Sequence, residues 1–160
     1  MPVKILFIIC FFLLAQAAKG QNIKLLSLDQ LDKRIEKGRD TVYVINFWAS
    51  WCAPCLQELP HFEKLNGALK GQRAKILLVS VDFKSKLKTA VIPVVKRLKL
   101  KNEIFLLNEQ SQQTYIERVS KDWSGALPAT LFINRKKNTR NFFEKEFTYK
   151  ELLDTYNLNK

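Results

Sequence analysis

Apolar positions along the chain alternate between short unbroken runs and three- or four-residue spacing. Residues 41–47 (Thr-Val-Tyr-Val-Ile-Asn-Phe) and 74–81 (Ala-Lys-Ile-Leu-Leu-Val-Ser-Val) are β-branched or apolar with little charge. That is the pattern of strands covered on both faces. Between them, Leu56, Leu59, Phe62 and Leu65 recur at helical spacing, predicting a helix over 54–70 closed by Gly71 and kinked at Pro60. Ser27 or Asp29 caps a shorter helix through Leu31 and Ile35 that ends at Gly38. Beyond the second strand, Leu87, Val91, Val94, Val95 and Leu98 mark a helix interrupted or restarted at Pro93. A strand over 103–107, a helix over 110–119, strands over 129–134 and 141–147, and a closing helix over 149–156 complete the chain. Strands alternating with helices give an α/β layer fold with a largely buried sheet in one domain.

The N-terminus follows a different pattern. Lys4 precedes an unbroken apolar run of eleven residues, 5–15, and Ala15-Gln16-Ala17 forms an A-x-A cleavage site. These features predict a signal peptide over 1–17 and a domain over 18–160. The run falls short of the roughly 20 apolar residues that span a bilayer, which disfavours the alternative of an uncleaved anchor. Cys10 would leave with the leader. Bulky Ile9 before it does not fit a lipidation site.

The formal charge is +12, and +11 once Lys4 is lost (26 basic against 15 acidic side chains). An exported protein seldom meets nucleic acid, so no nucleic-acid partner is expected. Solubility, docking and association with an anionic membrane surface remain as uses of the charge. The basic groups gather at Lys84, Lys86 and Lys88, at Lys96, Arg97, Lys99 and Lys101, and at Arg135, Lys136 and Lys137.

Export leaves two cysteines, Cys52 and Cys55, in an oxidising compartment. A bridge closing so small a loop stabilises by only about 2 kcal/mol, against roughly 4.7 for a loop of 100 residues. The pair is therefore a poor staple and a better switch. Two intervening residues on the first turn of a helix let the sulfurs meet, and unpaired N–H groups at the helix start favour the Cys52 thiolate. Cys52 can then attack a disulfide, and Cys55 can resolve the mixed disulfide. A zinc site needs four ligands, and His61 would bring the total only to three, so neither metal nor cofactor is expected. His61 is read as a solvated helix residue.

Asn-Phe-Trp-Ala-Ser-Trp-Cys-Ala-Pro-Cys at 46–55 resembles the active-site signature of the exported TlpA/ResA-like branch of the thioredoxin superfamily. Pro60 falls where the superfamily helix carries a proline. Gly-Ala-Leu-Pro-Ala-Thr-Leu-Phe-Ile at 125–133 resembles the segment holding the family's cis-proline, at Pro128. The resemblance runs from about Ile23 to the C-terminus. It implies a thioredoxin-like fold, a central mixed β-sheet flanked by helices, with a strand-and-helix insertion in the long stretch between Cys55 and Pro128. It also implies a cis Leu127–Pro128 bond beside the sulfurs, with the Leu127 backbone pairing to an extended substrate peptide. Trp51, Ala53 and Pro54 would contact that substrate, and Trp123 would line the same groove.

Asn46 stands where thioredoxins proper have a buried Asp. Glu58 matches a glutamate that the branch places near the cysteines. Helical spacing puts Glu58 on the face of Cys55. It either tunes the cysteines or relays a proton, or else it is an exposed surface residue. The hairpin after Ile133 lacks the usual glycine, and Asn138 is the residue able to take a left-handed conformation there.

The resemblance implies an enzyme, a thiol–disulfide oxidoreductase. One reading is a periplasmic reductase of protein disulfides, such as those of cytochrome c before haem attachment, recharged by a membrane electron donor. The absence of histidine between the cysteines favours this direction. The others are an exported oxidant or isomerase, and a non-catalytic binding module on the same fold.

Overall fold

The computed structural model describes residues 23–160. The leader, its cleavage site and Cys10 lie outside the described residues. Six strands and five α-helices follow one another as β1 (Lys24–Leu26), α1 (Leu28–Lys37), β2 (Val42–Trp48), α2 (Ala53–Ala68), β3 (Ala74–Ser80), α3 (Ile92–Arg97), β4 (Glu103–Leu107), α4 (Gln112–Val119), β5 (Ala129–Asn134), β6 (Thr139–Phe143) and α5 (Tyr149–Asn159). The sheet order is β1-β4-β3-β2-β5-β6. Pairing is parallel from β1 through β4 and β3 to β2, and antiparallel from β2 through β5 to β6. This is the expected mixed sheet of a thioredoxin-like fold.

Strand β2 explains why its sequence shows no alternation. Its residues are buried at every position. Val42, Val44 and Trp48 pack on one face with Leu59, Phe62, Val94 and Leu152. Tyr43, Ile45 and Phe47 pack on the other with Leu28, Leu31, Ile35 and Val119. Two helical layers cover the sheet, so each residue of the central strand meets a core whichever way it points.

Helix α1 starts at a complete capping box. Ser27 accepts from the Gln30 N–H, and the Gln30 side chain accepts from the Ser27 N–H. Asp29 is therefore a first-turn residue, not the cap. Helix α2 runs continuously across Pro60 and stops at Ala68, two residues before the expected end. Gly71 instead takes φ +81° in the following turn. The helix expected over 87–98 is composite, a π-helical turn (Leu87–Val91) and then α3, and a 3-10 turn (Lys84–Lys86) precedes it. Pro93 sits in the first turn of α3, where a missing N–H breaks no intrahelical bond. Residues 84–107 are the anticipated strand-and-helix insertion, and their strand β4 lies between β3 and β1.

Two elements depart further from the sequence reading. Strand β1 is three residues long, too short for any periodicity to register. Strand β6, expected over 141–147, occupies Thr139–Phe143, beginning straight after Asn138 at φ 53°. Asn138 thus takes the left-handed position foreseen for it. Phe147 is buried as a strand residue would be, but its N–H is bonded to the carboxylate of Glu58 on α2. Its ring packs edge-on against Phe132 and Phe143. Among the described residues no helix is long and apolar enough to cross a membrane.

Candidate active site

The buried strand β2 ends at Trp48, and α2 begins at Ala53, so four residues must carry the chain from strand to helix. Cys52 is the N-cap of α2. Its Sγ accepts the Cys55 N–H at 3.3 Å and is bonded to the Cys55 Sγ in a disulfide of 2.04 Å. Pro54 lies in the first turn, where its fixed φ suits a helix start. Cys55 is fully buried and Cys52 nearly so, while Ala53 is exposed. The Cys52 sulfur therefore sits at a helix N-terminus and takes one of the N–H groups that lack an intrahelical carbonyl partner.

The turn before Cys52 is clamped by a residue the sequence reading missed. Asp82, just beyond β3, is 4% exposed. It accepts the Ser50 N–H at 2.8 Å, the Ser50 hydroxyl at 2.6 Å and the Ser80 hydroxyl at 2.8 Å. The Val81 N–H bonds the Trp48 carbonyl at 2.8 Å. Three donors on one buried carboxylate satisfy it without a cation. The available signal was position, since ligands of open α/β sheets gather beyond the carboxyl ends of the strands.

Leu127 and Pro128 lead into β5, antiparallel to β2, and their peptide bond is cis. Pro128 is buried and Leu127 half-buried against both cores. Gly125 takes φ +95°, and a Cβ there would lie 2.9 Å from Ile116 Cδ1, so the turn before Leu127 requires glycine. Trp51 is 72% exposed. Together with Leu127 it lines a groove of about 440 Å3. The expectation for Trp123 needs correcting. It is buried among Phe47, Tyr115 and Phe142, behind the groove's lining and not in it, and its indole N–H holds the Ala126 carbonyl at 2.8 Å. Its aromatic bulk suits that core better than a wet surface, and it supports the Leu127 loop from behind.

Glu58 is fully buried, so the surface alternative falls. One carboxylate oxygen accepts from Asn46 Nδ2 at 2.7 Å and the other from the Phe147 N–H at 2.8 Å. Asn46 Nδ2 also donates to Thr130 Oγ1 at 3.1 Å, while Asn46 Oδ1 is buried with no partner among the described residues. Burial pushes the Glu58 carboxyl up to about 7. The two hydrogen bonds oppose that shift, and the charge of Glu146 adds slightly to it. Three residues along α2 from Cys55, Glu58 occupies the same helix face. His61 is half-buried. Among the described residues no three His, Cys, Asp or Glu side chains gather to hold a metal ion.

A carboxyl raised in the folded state from 4.5 to about 7 binds its proton more tightly there than in the unfolded chain. Stability from this group is thus full below about pH 4.5 and declines as pH rises through 7, by about 3 kcal/mol in all. Urea unfolding at pH 5 and pH 8 should show this decline in the oxidised wild type but not in Glu58→Gln. Equal pH slopes in the two proteins would contradict the burial argument.

A family model described as AhpC/TSA matches residues 15–142. ResA, a thiol-disulfide oxidoreductase of Geobacillus kaustophilus, is 25% identical over 138 residues, 86% of this chain and 74% of its own length. The thioredoxin-like protein YneN of Bacillus subtilis is 39% identical over 70 residues, 44% of this chain but only 38% of YneN. Among solved structures, a thioredoxin-related protein of Neisseria meningitidis serogroup B superposes with a TM-score of 0.64 at 23% identity, over 74% of this chain and 84% of that one. StoA of Bacillus subtilis gives 0.56 at 22%, over 72% and 82%. With the matched model covering most of its length, the chain belongs to the AhpC/TSA family of thioredoxin-like proteins, within which it is similar to the ResA/TlpA-like branch.

Proposed function

We propose that this protein is an exported thiol–disulfide oxidoreductase that reduces protein disulfides outside the cytoplasm. The observation that carries the reading is the position of Cys52, its sulfur capping α2 and joined to Cys55 one turn on. In the dithiol form the helix N-terminus stabilises the Cys52 thiolate. That thiolate attacks one sulfur of a substrate disulfide. A bond forms between Cys52 and the substrate, and the other substrate sulfur leaves as a thiolate and takes up a proton. Cys55 then attacks the Cys52 sulfur, closing the 52–55 disulfide and expelling the second substrate thiol. Two electrons pass to the substrate, and an external dithiol, on this reading a membrane protein, restores them.

Trp51, Ala53, Pro54 and Leu127 supply the contact surface, with the Leu127 backbone pairing to an extended substrate segment and the buried Pro128, which has no N–H to compete, beside it. Glu58 takes the proton of Cys55 as that thiol attacks, a transfer suited to a carboxyl near neutrality. Asn46 can serve either state. As oriented it donates to the carboxylate, and a half-turn of its amide would present the unpartnered Oδ1 to a protonated Glu58. Export rests on the leader-like N-terminus. It agrees with the secreted disulfide oxidoreductase of Mycobacterium tuberculosis that shares the fold. Substrates are then exported protein cysteines, those awaiting haem in cytochrome c among them.

Cys55→Ala should accumulate mixed disulfides on Cys52 in the producing cell, and Cys52→Ala should accumulate none. Mass spectrometry identifies the substrate and shows whether residues 1–17 are gone; no adducts with either variant would count against the enzyme. Glu58→Gln should slow resolution by Cys55 about tenfold or more near pH 7, leaving Cys52 alkylation within about twofold. The reducing direction requires a potential well below the roughly −120 mV of strong thiol oxidants, and a value near that figure would reverse it.

A further inference from the structure

The groove beside the disulfide presents more than the two cysteines need. It runs from Trp51 and Leu127 to Phe83, Lys84 and Tyr115. Phe83 is 80% exposed, so two large aromatic side chains at one groove are left to water. Such surface marks a contact site when it is concave and sits beside reactive chemistry.

The segment beside it carries charge of one sign. Residues 83–102, from the edge of the insertion into it, carry seven Lys or Arg and no Asp or Glu. Lys84, Lys86 and Lys88 are exposed, as are the four cations between 96 and 101. None joins an ion pair among the described residues, whereas Arg34, Arg73, Arg118, Lys145 and Lys150 elsewhere do. The two carboxylates lining the groove are already engaged. Asp82 holds Ser50 and Ser80, and Glu109 accepts the Leu28 N–H at 2.6 Å. The insertion packs through Val91, Val94, Val95 and Leu100, none of which requires its charges.

We infer that this groove and the basic segment beside it select the substrate: an extended cysteine peptide bearing an apolar side chain next to the cysteine and carboxylates within a few residues of it. The inference rests on the dithiol reading above and names the substrate class of that site. Trp51 and Phe83 receive the apolar side chain. Lys84, which lines the groove, and Lys86 and Lys88 on the turn that follows it meet the carboxylates. Single exposed charges bind weakly, but a run of like charges outside any ion pair steers and orients its partner. An anionic lipid surface could use the same cations. A flat surface would leave the concave groove and its aromatics unfilled, which favours a peptide.

The test uses the reduced chain and mixed disulfides of short peptides: Leu beside Cys with Glu flanks, the same with Lys flanks, and Ala in place of Leu with Glu flanks. The Glu-flanked Leu peptide should show a kcat/KM about tenfold above the Lys-flanked one at low salt, narrowing to about twofold at roughly 0.5 M salt. Phe83→Ala should erase most of the advantage of Leu over Ala. The triple variant Lys84→Glu, Lys86→Glu, Lys88→Glu should invert the charge preference. Neutral hydroxyethyl disulfide should be turned over equally by all of them, since it reports the dithiol alone. If that small disulfide reacts while the peptides do not differ, the inference is overturned and the enzyme reading survives. If even it fails to react, the enzyme reading fails. Peptide affinity, followed by tryptophan fluorescence, then decides the inference by the same ordering. Loss of phosphatidylglycerol-vesicle binding in the triple variant, with peptide rates unchanged, would assign the cations to a membrane and overturn it too.

Discussion

The site depends on how quickly the chain passes from a strand with no free face into a helix whose first N–H groups look beyond the helix's own carbonyls for partners. Strand β2 is buried throughout, so its direction is fixed by two cores at once. The four residues after Trp48 are held by the Val81 N–H on the Trp48 carbonyl and by Asp82 on Ser50. Between those restraints the Cys52 sulfur can sit only at the start of α2, where the backbone offers it hydrogen bonds and a favourable dipole. Preorganisation of this kind means that the thiolate gains its stabilisation without any rearrangement when it forms.

Behind the sulfurs the fold tolerates a costly group. Glu58 is fully buried on a helix whose neighbouring residues Leu59 and Phe62 belong to the apolar core, where an unpaired charge would be strongly disfavoured. Its oxygens are satisfied by one side-chain amide and one backbone N–H, neither carrying charge. Such partners soften the penalty without removing it, so the proton stays available near neutral pH. The same contact shapes the chain elsewhere. By taking the Phe147 N–H, Glu58 draws the link between β6 and α5 under the helix that carries the cysteines, and Thr148 then caps α5 with Glu151 in a complete box. One carboxylate thus ties the C-terminal helix to the redox helix.

The insertion has two separable tasks. Its apolar side fills the core next to α2, and β4 widens the sheet between β3 and β1. Its outer side carries cations and an exposed phenylalanine at the mouth of the groove. Because the core contacts do not involve the charges, the outer surface could diverge without disturbing the fold, which is where selectivity among substrates is most easily altered.

Local information was enough for most of the architecture. The unbroken apolar runs of β2 and β3, the Ser27 cap and the Cys-Ala-Pro-Cys spacing are properties of neighbours in the chain, and the structure places those elements within a residue or two of their expected bounds. The left-handed Asn138 belongs to the same class. Long-range contacts decided the rest. Nothing near Phe147 in sequence says that a carboxylate 89 residues away will claim its N–H and end β6 early. Helical spacing gave Glu58 a direction but not a depth, and only the packing of α2 against α5 and the sheet buried it. Asp82 and Trp123 were misjudged or missed for the same reason: what a polar or aromatic side chain does depends on which partners the fold brings to it, and these partners come from other strands and loops.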